Sequence, residues 1–279
     1  MVLNFLEENS FIKIEECAFN EAQRIFPCEK ELIKQIPIDK IISYFQQNII
    51  ISDRPFLIRT VGQAGSGKST QLIPALQDAL KDRQYIHINV GMFAKFHPNY
   101  EELQRNEPHK MREKTNGFAL RSLFLFYKHC VLNRVNILLD MTLLEPEIEI
   151  YLMSLAKKMG YQVQMHLLCV PKKISDSFIR LRQAQTGRHV WPSSATYFFN
   201  ALAPALKTLT RSGMFCQADR LILWTHDMFC PIKQTHLNNP YVLNVLQKYQ
   251  GAHFQIKKRG SLLKSKKKWM KLFVEKLDV

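Results

Sequence analysis

The clearest chemistry in this chain of 279 residues belongs to residues 62–70, which read Gly-Gln-Ala-Gly-Ser-Gly-Lys-Ser-Thr. They fit the pattern G-x-x-x-x-G-K-S, in which glycines let successive backbone N–H groups turn toward phosphate oxygens. In such a loop Lys68 can reach the β- and γ-phosphates of ATP, and the Ser69 hydroxyl can ligate Mg²⁺. A chance glycine-rich turn is the alternative, but an apolar segment precedes the pattern and a helical one follows it. The predicted nucleotide-binding residues are Gly62, Gln63, Ala64, Gly65, Ser66, Gly67, Lys68, Ser69 and Thr70.

A second group of reactive side chains follows the apolar segment at residues 136–140, which ends in Asp140. A carboxylate at the end of a buried strand in a phosphate-loop protein can hold the Mg²⁺ shell or face the phosphate acceptor. A helix cap or a turn residue is the alternative interpretation of Asp140. Thr142 follows two residues later and offers a hydroxyl contact to a substrate.

The elements that must position these residues are short apolar segments separated by helical stretches. Five segments rich in Ile, Leu and Val occur at residues 56–62, 85–90, 135–140, 161–170 and 219–225. Helical patterns at residues 68–81 and 145–158 are long enough to cross between them. Buried strands that alternate with helices predict a parallel sheet covered on both faces, and hence an α/β fold.

The regions on either side of this pattern are different. Residues 1–54 show helical spacing of apolar residues, at 15–26 and 29–47. After residue 230 comes a turn-rich stretch with two prolines, then a helical pattern at 241–250 and a basic end. The predicted organisation is a helical N-terminal extension at 1–54, a phosphate-loop core at 55–230 and a C-terminal helical segment at 231–279.

The order of these motifs resembles the zeta toxin family of P-loop kinases over about residues 40–230. Apart from the phosphate loop each motif is short, and it is their order and spacing together that is specific. The matching features are the loop at 62–70, His-Pro-Asn-Tyr at 97–100, Asp-Met-Thr at 140–142, Gly-Tyr at 160–161, the arginine-bearing run at 175–192 and the strand at 218–224.

The resemblance implies transfer of the γ-phosphate of ATP to a hydroxyl of a small substrate, typically the nucleotide sugar UDP-N-acetylglucosamine. It also implies an antitoxin as protein partner. The catalytic residues it implies are Lys68, Asp140, Arg182 and Arg188, and Arg180 competes with Arg182 for one of the two arginine positions. Asn89, His97 and Thr142 are the residues it places at the substrate, and Ser69 and Asp140 those it places at Mg²⁺.

The sequence departs from the family where an acidic catalytic base is expected, just after the second strand. Asn89 and Gly91 stand at the two acidic positions; the Asn89 amide cannot accept a proton at neutral pH, and Gly91 has no side chain. Three hypotheses remain open. A substitute base such as Asp140, Glu101 or Glu102 acts, since a loose transition state asks little of a base; the acceptor differs from the usual nucleotide sugar; or the protein binds ATP without transferring phosphate.

The net charge of +15 is unevenly distributed. Residues 1–54 hold six basic and nine acidic side chains, whereas residues 255–279 hold nine basic and two acidic ones. On a helix, the apolar residues of segment 257–277 form one stripe between lysines, which suits an anionic membrane surface, a protein partner or docking on the core. Nucleic acid is the less favoured partner, because aromatic residues for base stacking are not interleaved with the lysines.

The rest of the composition excludes several classes of protein. No apolar run reaches the roughly 18 to 20 residues of a membrane span, and no basic N-terminal region of a cleavable signal peptide is visible. The six cysteines form no Cys-x-x-Cys pair, which favours idle thiols in a reducing compartment. We therefore expect a cytoplasmic protein, with peripheral membrane contact if the basic end binds lipid; export without a cleavable signal stays open.

Overall fold

The computed structural model describes residues 8–142, 145–170, 172–186, 196, 200–202, 205, 208–209, 218–225 and 232–234. Its strands are β1 (Phe56–Val61), β2 (Ile86–Asn89), β3 (Ile137–Asp140), β4 (Gln162–Cys169), β5 (Arg220–Thr225) and β6 (Ile232–Gln234). Its α-helices are α1 (Glu8–Ile25), α2 (Lys30–Lys34), α3 (Ile38–Phe45), α4 (Ile73–Ala79), α5 (Val90–Phe93), α6 (Tyr100–Asn106), α7 (Met111–Leu132), α8 (Pro146–Lys158) and α9 (Lys172–Thr186).

The strands form one sheet in the order β2-β3-β1-β4-β5-β6. The first five strands are parallel and β6 is antiparallel to β5. Every residue of β1 is buried, as expected for a central strand with helices on both faces. Because β2, β3 and β1 are neighbours, Asn89, Asp140 and Thr60 occupy one row across the sheet, with Asp140 in register with the other two. The fold therefore brings the ends of three strands to one edge, confirming the predicted α/β architecture.

The core has two parts, one on each face of the sheet. The larger part packs α1, α7 and α8 against one face, and the smaller packs Leu72, Ile73 and Leu76 against the other. Helix α1 is tied to the larger part by polar contacts as well: the Lys128 ammonium and the Tyr151 hydroxyl both donate to Glu15 Oε1, at 2.7 and 3.2 Å. The N-terminal helix thus shares a core with the sheet.

The strand predictions hold to within two residues at each end, but two other expectations differ from the structure. The single helix expected at 29–47 is wrong, because α2 ends at Lys34 and α3 begins at Ile38. Pro37 lies between them; it lacks an N–H donor and disfavours helical backbone at the residue before it. Strand β6 was not expected, because its three residues are too few to show a period.

No helix within the described residues is both long and apolar enough to cross a membrane. The helix expected at 241–250 and the basic segment 257–277 lie outside the described residues.

Candidate active site

The loop at residues 62–70 follows β1 and is packed so closely that glycine is required. Gly65 and Gly67 have φ values of +73° and +95°, a left-handed conformation that other residues adopt only at a cost. A Cβ atom on Gly65 would also overlap the backbone oxygen of Ser175, and one on Gly62 would lie 2.5 Å from the carbonyl oxygen of Leu168. Both the turn and its close approach to β4 and α9 therefore depend on the glycines of the motif.

Two side-chain hydrogen bonds tie this loop to the neighbouring chain. The Gln63 amide donates to the carbonyl oxygen of Val170, and the Ser175 hydroxyl donates to that of Ala64. Gln63 and Ser175 are 2% and 3% exposed. Ser66 is 1% exposed, and its hydroxyl has no hydrogen-bond partner among the described residues. A buried hydroxyl normally requires a partner, and a phosphate oxygen in the loop would supply one.

The helix after the loop begins with a widened turn. Residues Lys68–Leu72 form a π-helical turn, in which the Leu72 N–H donates to the carbonyl oxygen of Gly67, five residues earlier, at 3.4 Å. The chain continues directly into α4. Ser69 and Thr70 are exposed in this first turn. The turn thus presents two hydroxyls and the positive end of the helix dipole beside the loop, which favours an anion there.

Lys68 folds back over the loop. Its Nζ atom donates to the carbonyl oxygens of Gly62 and Gln63, at 2.6 and 3.3 Å. Burial of the ammonium group lowers the pKa of Lys68 to about 8; the Asp140 carboxylate opposes this shift, and Arg59, Arg182 and Arg112 add to it. A bound phosphate would replace the carbonyl contacts with a charge-assisted pair. Lys68 is thus poised to exchange backbone contacts for an anion.

Asp140 ends β3 beside the loop. It is half-buried, and its Oδ1 atom accepts a hydrogen bond from the Thr60 hydroxyl at 3.0 Å. Burial lowers the pKa of His87 on β2, and the charge of Asp140 opposes part of this shift. The predicted nucleotide lysine and the predicted metal-binding carboxylate therefore lie at one edge of the sheet, close enough to influence each other electrostatically.

The turn after β2 offers no acid. Asn89 is the residue before α5, and its Oδ1 atom would lie 3.2 Å from a Cβ on Gly91. His97 is 6% exposed and packs edge-on against Phe118, with ring centroids 5.1 Å apart. The Asn99 N–H donates to His97 Nδ1 at 3.1 Å, and burial lowers the pKa of His97. His97 therefore stabilises the turn, and a neutral ring suits that role.

The remaining predicted residues are placed unevenly. Arg182, on α9, is half-buried and near enough to Lys68 to lower its pKa, whereas Arg180 is exposed. Arg188 lies outside the described residues. The backbone oxygen of Thr142 accepts a hydrogen bond from Arg59 at 3.4 Å. The candidate substitute bases Glu101 and Glu102 are exposed in the first turn of α6.

Several residues of the site were not predicted from the sequence. Arg59 and Glu149 are 0% exposed and form an ion pair beneath the end of β3. Their signal was a charged residue inside each of two apolar stretches, a pattern typical of a buried pair. Arg112, at the start of α7, lies near Lys68 although no motif contains it.

Comparison with known proteins identifies a family for most of this chain. The model of the family described as Zeta toxin matches residues 43–228. Toxin PezT of Streptococcus pneumoniae serotype 4 is 28% identical over 124 residues, which are 44% of this chain and 48% of that protein. The matched stretch thus spans about half the length of this curated relative.

Solved structures share the fold at lower sequence identity. A structure from the characterization of the PezAT chromosomal toxin–antitoxin system of Streptococcus pneumoniae has a TM-score of 0.62 and 19% identity, over 90% of this chain and 97% of that one. The native AvrRxo1-ORF1:-ORF2 complex gives 0.51 and 13%, over 95% of this chain and 83% of that one. Both are similar to this chain in fold.

Proposed function

The chain belongs to the zeta toxin family of P-loop kinase-like toxins, and from this premise we propose that it is an ATP-dependent phosphotransferase. It transfers the γ-phosphate of ATP to a hydroxyl of a small substrate such as UDP-N-acetylglucosamine. The observation that carries this proposal is the pairing of a glycine-enforced phosphate loop with Asp140 on the adjacent strand. A loop with Lys68 alone would support binding, whereas a carboxylate facing the same site supports chemistry at the terminal phosphate.

The residues of this chain would act mainly by position and charge. The backbone N–H groups of the loop bind the phosphates, and Lys68 stabilises negative charge on the β- and γ-phosphates. Arg182 and Arg188 add positive charge as the γ-phosphate leaves. The Ser69 hydroxyl and the Asp140 carboxylate would hold Mg²⁺, which neutralises charge on the phosphates when it is bound.

The acceptor hydroxyl is bound near the turn after β2 and the end of β3. Asn89, His97 and Thr142 belong to these two segments. In the absence of an acid at Asn89 or Gly91, Asp140 is the carboxylate best placed to accept the hydroxyl proton. Only a weak base is needed if the bond between the γ-phosphorus and the β–γ bridging oxygen breaks early and ADP leaves before the acceptor oxygen is fully bonded, as in most analyses of this reaction.

A protein partner is part of the proposal. One solved structure that shares the fold of this chain comes from a chromosomal toxin–antitoxin system. An antitoxin-like protein that covers the phosphate loop would hold a kinase of this kind inactive.

The direct test uses γ-labelled ATP, Mg²⁺ and the full chain, offered UDP-N-acetylglucosamine and then a mixed metabolite extract. We expect a labelled acceptor with the wild-type protein and none with Lys68→Ala. If ATP binds but no metabolite becomes labelled in either mixture, the proposed transfer is wrong.

The neutral side chains after β2 favour a second candidate, an ATP-binding module without transferase activity. In that case ATP acts as a ligand that fixes the conformation of the loop and α9 for a partner. Calorimetry would then show ATP binding with no turnover under any condition, and ATP would change the affinity for the partner.

A further inference from the structure

From the contacts at the end of β3, we infer that Arg59 and Glu149 are positioning residues for the candidate site. They fix the backbone just after Asp140, so that its carboxylate faces the nucleotide. This inference rests on the proposed function, because it assigns Asp140 to Mg²⁺.

The guanidinium of Arg59 joins three elements. It pairs with the Glu149 carboxylate on α8 through two hydrogen bonds, one of them from Nε to Oε2 at 3.0 Å. It also donates to the carbonyl oxygens of Met141 and Thr142, at 2.8 and 3.4 Å, and to that of Thr60 in β1. A single side chain therefore ties the exit of β3 to β1 and α8.

The position of this pair is unusual for a purely structural ion pair. Both side chains are 0% exposed, so the cost of removing two charges from water is high, and apolar residues of similar size would often give equal stability. Instead, the planar guanidinium satisfies the carbonyl oxygens of the two residues that follow Asp140. A planar group with five donors can make all these contacts at once, which a lysine cannot.

The link to the site runs through the backbone. Thr60 and Asp140 are paired in register, and the Thr60 hydroxyl donates to Asp140 Oδ1. Successive side chains of a strand point to opposite faces of the sheet. The side chain of Arg59 therefore lies on the face opposite to that of Thr60, and Glu149 lies on the same face as Arg59. Asp140 is thus held by a side-chain contact on one face and by a backbone restraint on the other.

The test compares ATP affinity with Mg²⁺ and with EDTA, using the full chain. The main variant is the double substitution Arg59→Met/Glu149→Leu, which removes both charges together and should retain the fold. The control is Tyr127→Phe, which removes a different buried contact to α8, the 2.7 Å hydrogen bond from the Tyr127 hydroxyl to the carbonyl oxygen of Leu152. The ratio of the two affinities cancels any direct effect of Arg59 on Lys68.

We expect Mg²⁺ to strengthen ATP binding by the wild-type protein and by the control. In the double variant this strengthening should fall about tenfold, as when a residue that orients a metal ligand is lost. In the transfer assay with saturating Mg²⁺, the KM for ATP should rise by about the same factor, because KM follows the dissociation constant when chemistry is slow.

An unchanged ratio in a folded double variant would show that the pair is only structural, and would overturn the inference. Should the double variant fail to fold, Arg59→Lys decides the matter by the same ratio, because it keeps the charge but cannot reach both carbonyl oxygens and Glu149. If Mg²⁺ strengthens ATP binding by the wild-type protein but no acceptor is labelled, the proposed transfer is wrong. The ratio of the two affinities then still decides whether Arg59 and Glu149 position Asp140. A wild-type ratio of one contradicts the inference itself.

Discussion

The loop after β1 and the turn after β2 lie at the same edge of the sheet but retain very different amounts of a kinase site. The loop keeps each glycine, the lysine and the serine of its motif, and buried contacts from Gln63 and Ser175 support it. The turn keeps its shape through His97, yet Asn89 and Gly91 have replaced the acids that the family resemblance leads one to expect. Under the proposed function, the nucleotide side of the site is therefore complete, whereas the acceptor side lacks its expected acid.

Between these two regions lies β3, and with it the carboxylate that connects them. Asp140 is in register with Thr60 on one side and with Asn89 on the other. In the proposed mechanism, Asp140 serves both the nucleotide and the acceptor.

Substitution of Lys68 should have the largest effect. Lys68→Ala removes the one lysine of the loop, and the loss of a donor that stabilises transition-state charge costs about 10²–10³-fold in rate. Steady-state transfer of labelled phosphate measures it. Lys81→Ala, at an exposed position just beyond α4, is the matched control and should keep full activity. Equal rates for the two variants would remove the loop from the mechanism.

Asp140→Asn should lower Mg²⁺-dependent turnover by about 10–100-fold, because the amide keeps the shape of the side chain but lacks the charge. Turnover measured over a range of Mg²⁺ concentrations gives the effect. Asp78→Asn, at an exposed position on α4, is the control. A variant that responds to Mg²⁺ as the wild type does would show that Asp140 belongs to the acceptor side alone.

Gly65→Ala should lower the free energy of unfolding by more than the cost of placing an alanine in a left-handed conformation. The substitution places a left-handed alanine against Ser175 and Ile179, which adds an overpacking cost of about 1–3 kcal/mol. Gly160→Ala is the control, since Gly160 has a similar φ of +78° but the nearest atom to its Cβ, on Arg134, is 3.9 Å away. Denaturant unfolding of both variants measures the difference; equal losses would contradict the close packing of the loop against α9.

The pH dependence of ATP affinity should reveal the state of Lys68. Its pKa is lowered to about 8, so the ammonium is charged below pH 8 and neutral above it. ATP binds the charged form better, and affinity should therefore be constant below pH 8 and fall about tenfold per pH unit above it. Calorimetry between pH 7 and 10 measures the profile.

Two variants sharpen the pH experiment. Lys68→Arg should abolish the decline, because a guanidinium remains protonated over this range. Asp140→Asn should move the decline to lower pH, because the Asp140 carboxylate raises the pKa of Lys68. A decline that survives in Lys68→Arg would have to come from a different group.

The conformation of the loop after β1 could be anticipated from the sequence for a physical reason. A phosphate loop needs a fixed set of residues in consecutive positions, since its function depends on local backbone geometry. The strands that flank it are buried on both faces, so their apolar runs predicted the α/β fold and placed Asp140 at the right edge.

The supporting residues could not be predicted because their partners are distant in the chain. Arg59 and Glu149 are 90 residues apart, and Thr60 and Asp140 are 80 apart. A charged residue inside an apolar stretch suggests burial, but nothing local in the sequence identifies its partner. Arg112 was missed for the same reason, since only the packing of α7 brings it near the loop.

The most direct test of the central proposal is a comparison of phosphate transfer by the wild-type protein and by Gly91→Asp. Gly91 is exposed and a Cβ there would lie 3.2 Å from Asn89 Oδ1, so the substitution adds an acid with only a small shift of the Asn89 side chain. We predict that the wild type labels a hydroxyl-bearing acceptor and that Gly91→Asp changes this rate by less than about tenfold, since loose phosphoryl transfer depends weakly on a base. Transfer by Gly91→Asp together with none by the wild type would contradict the proposal and identify the protein as an ATP-binding module.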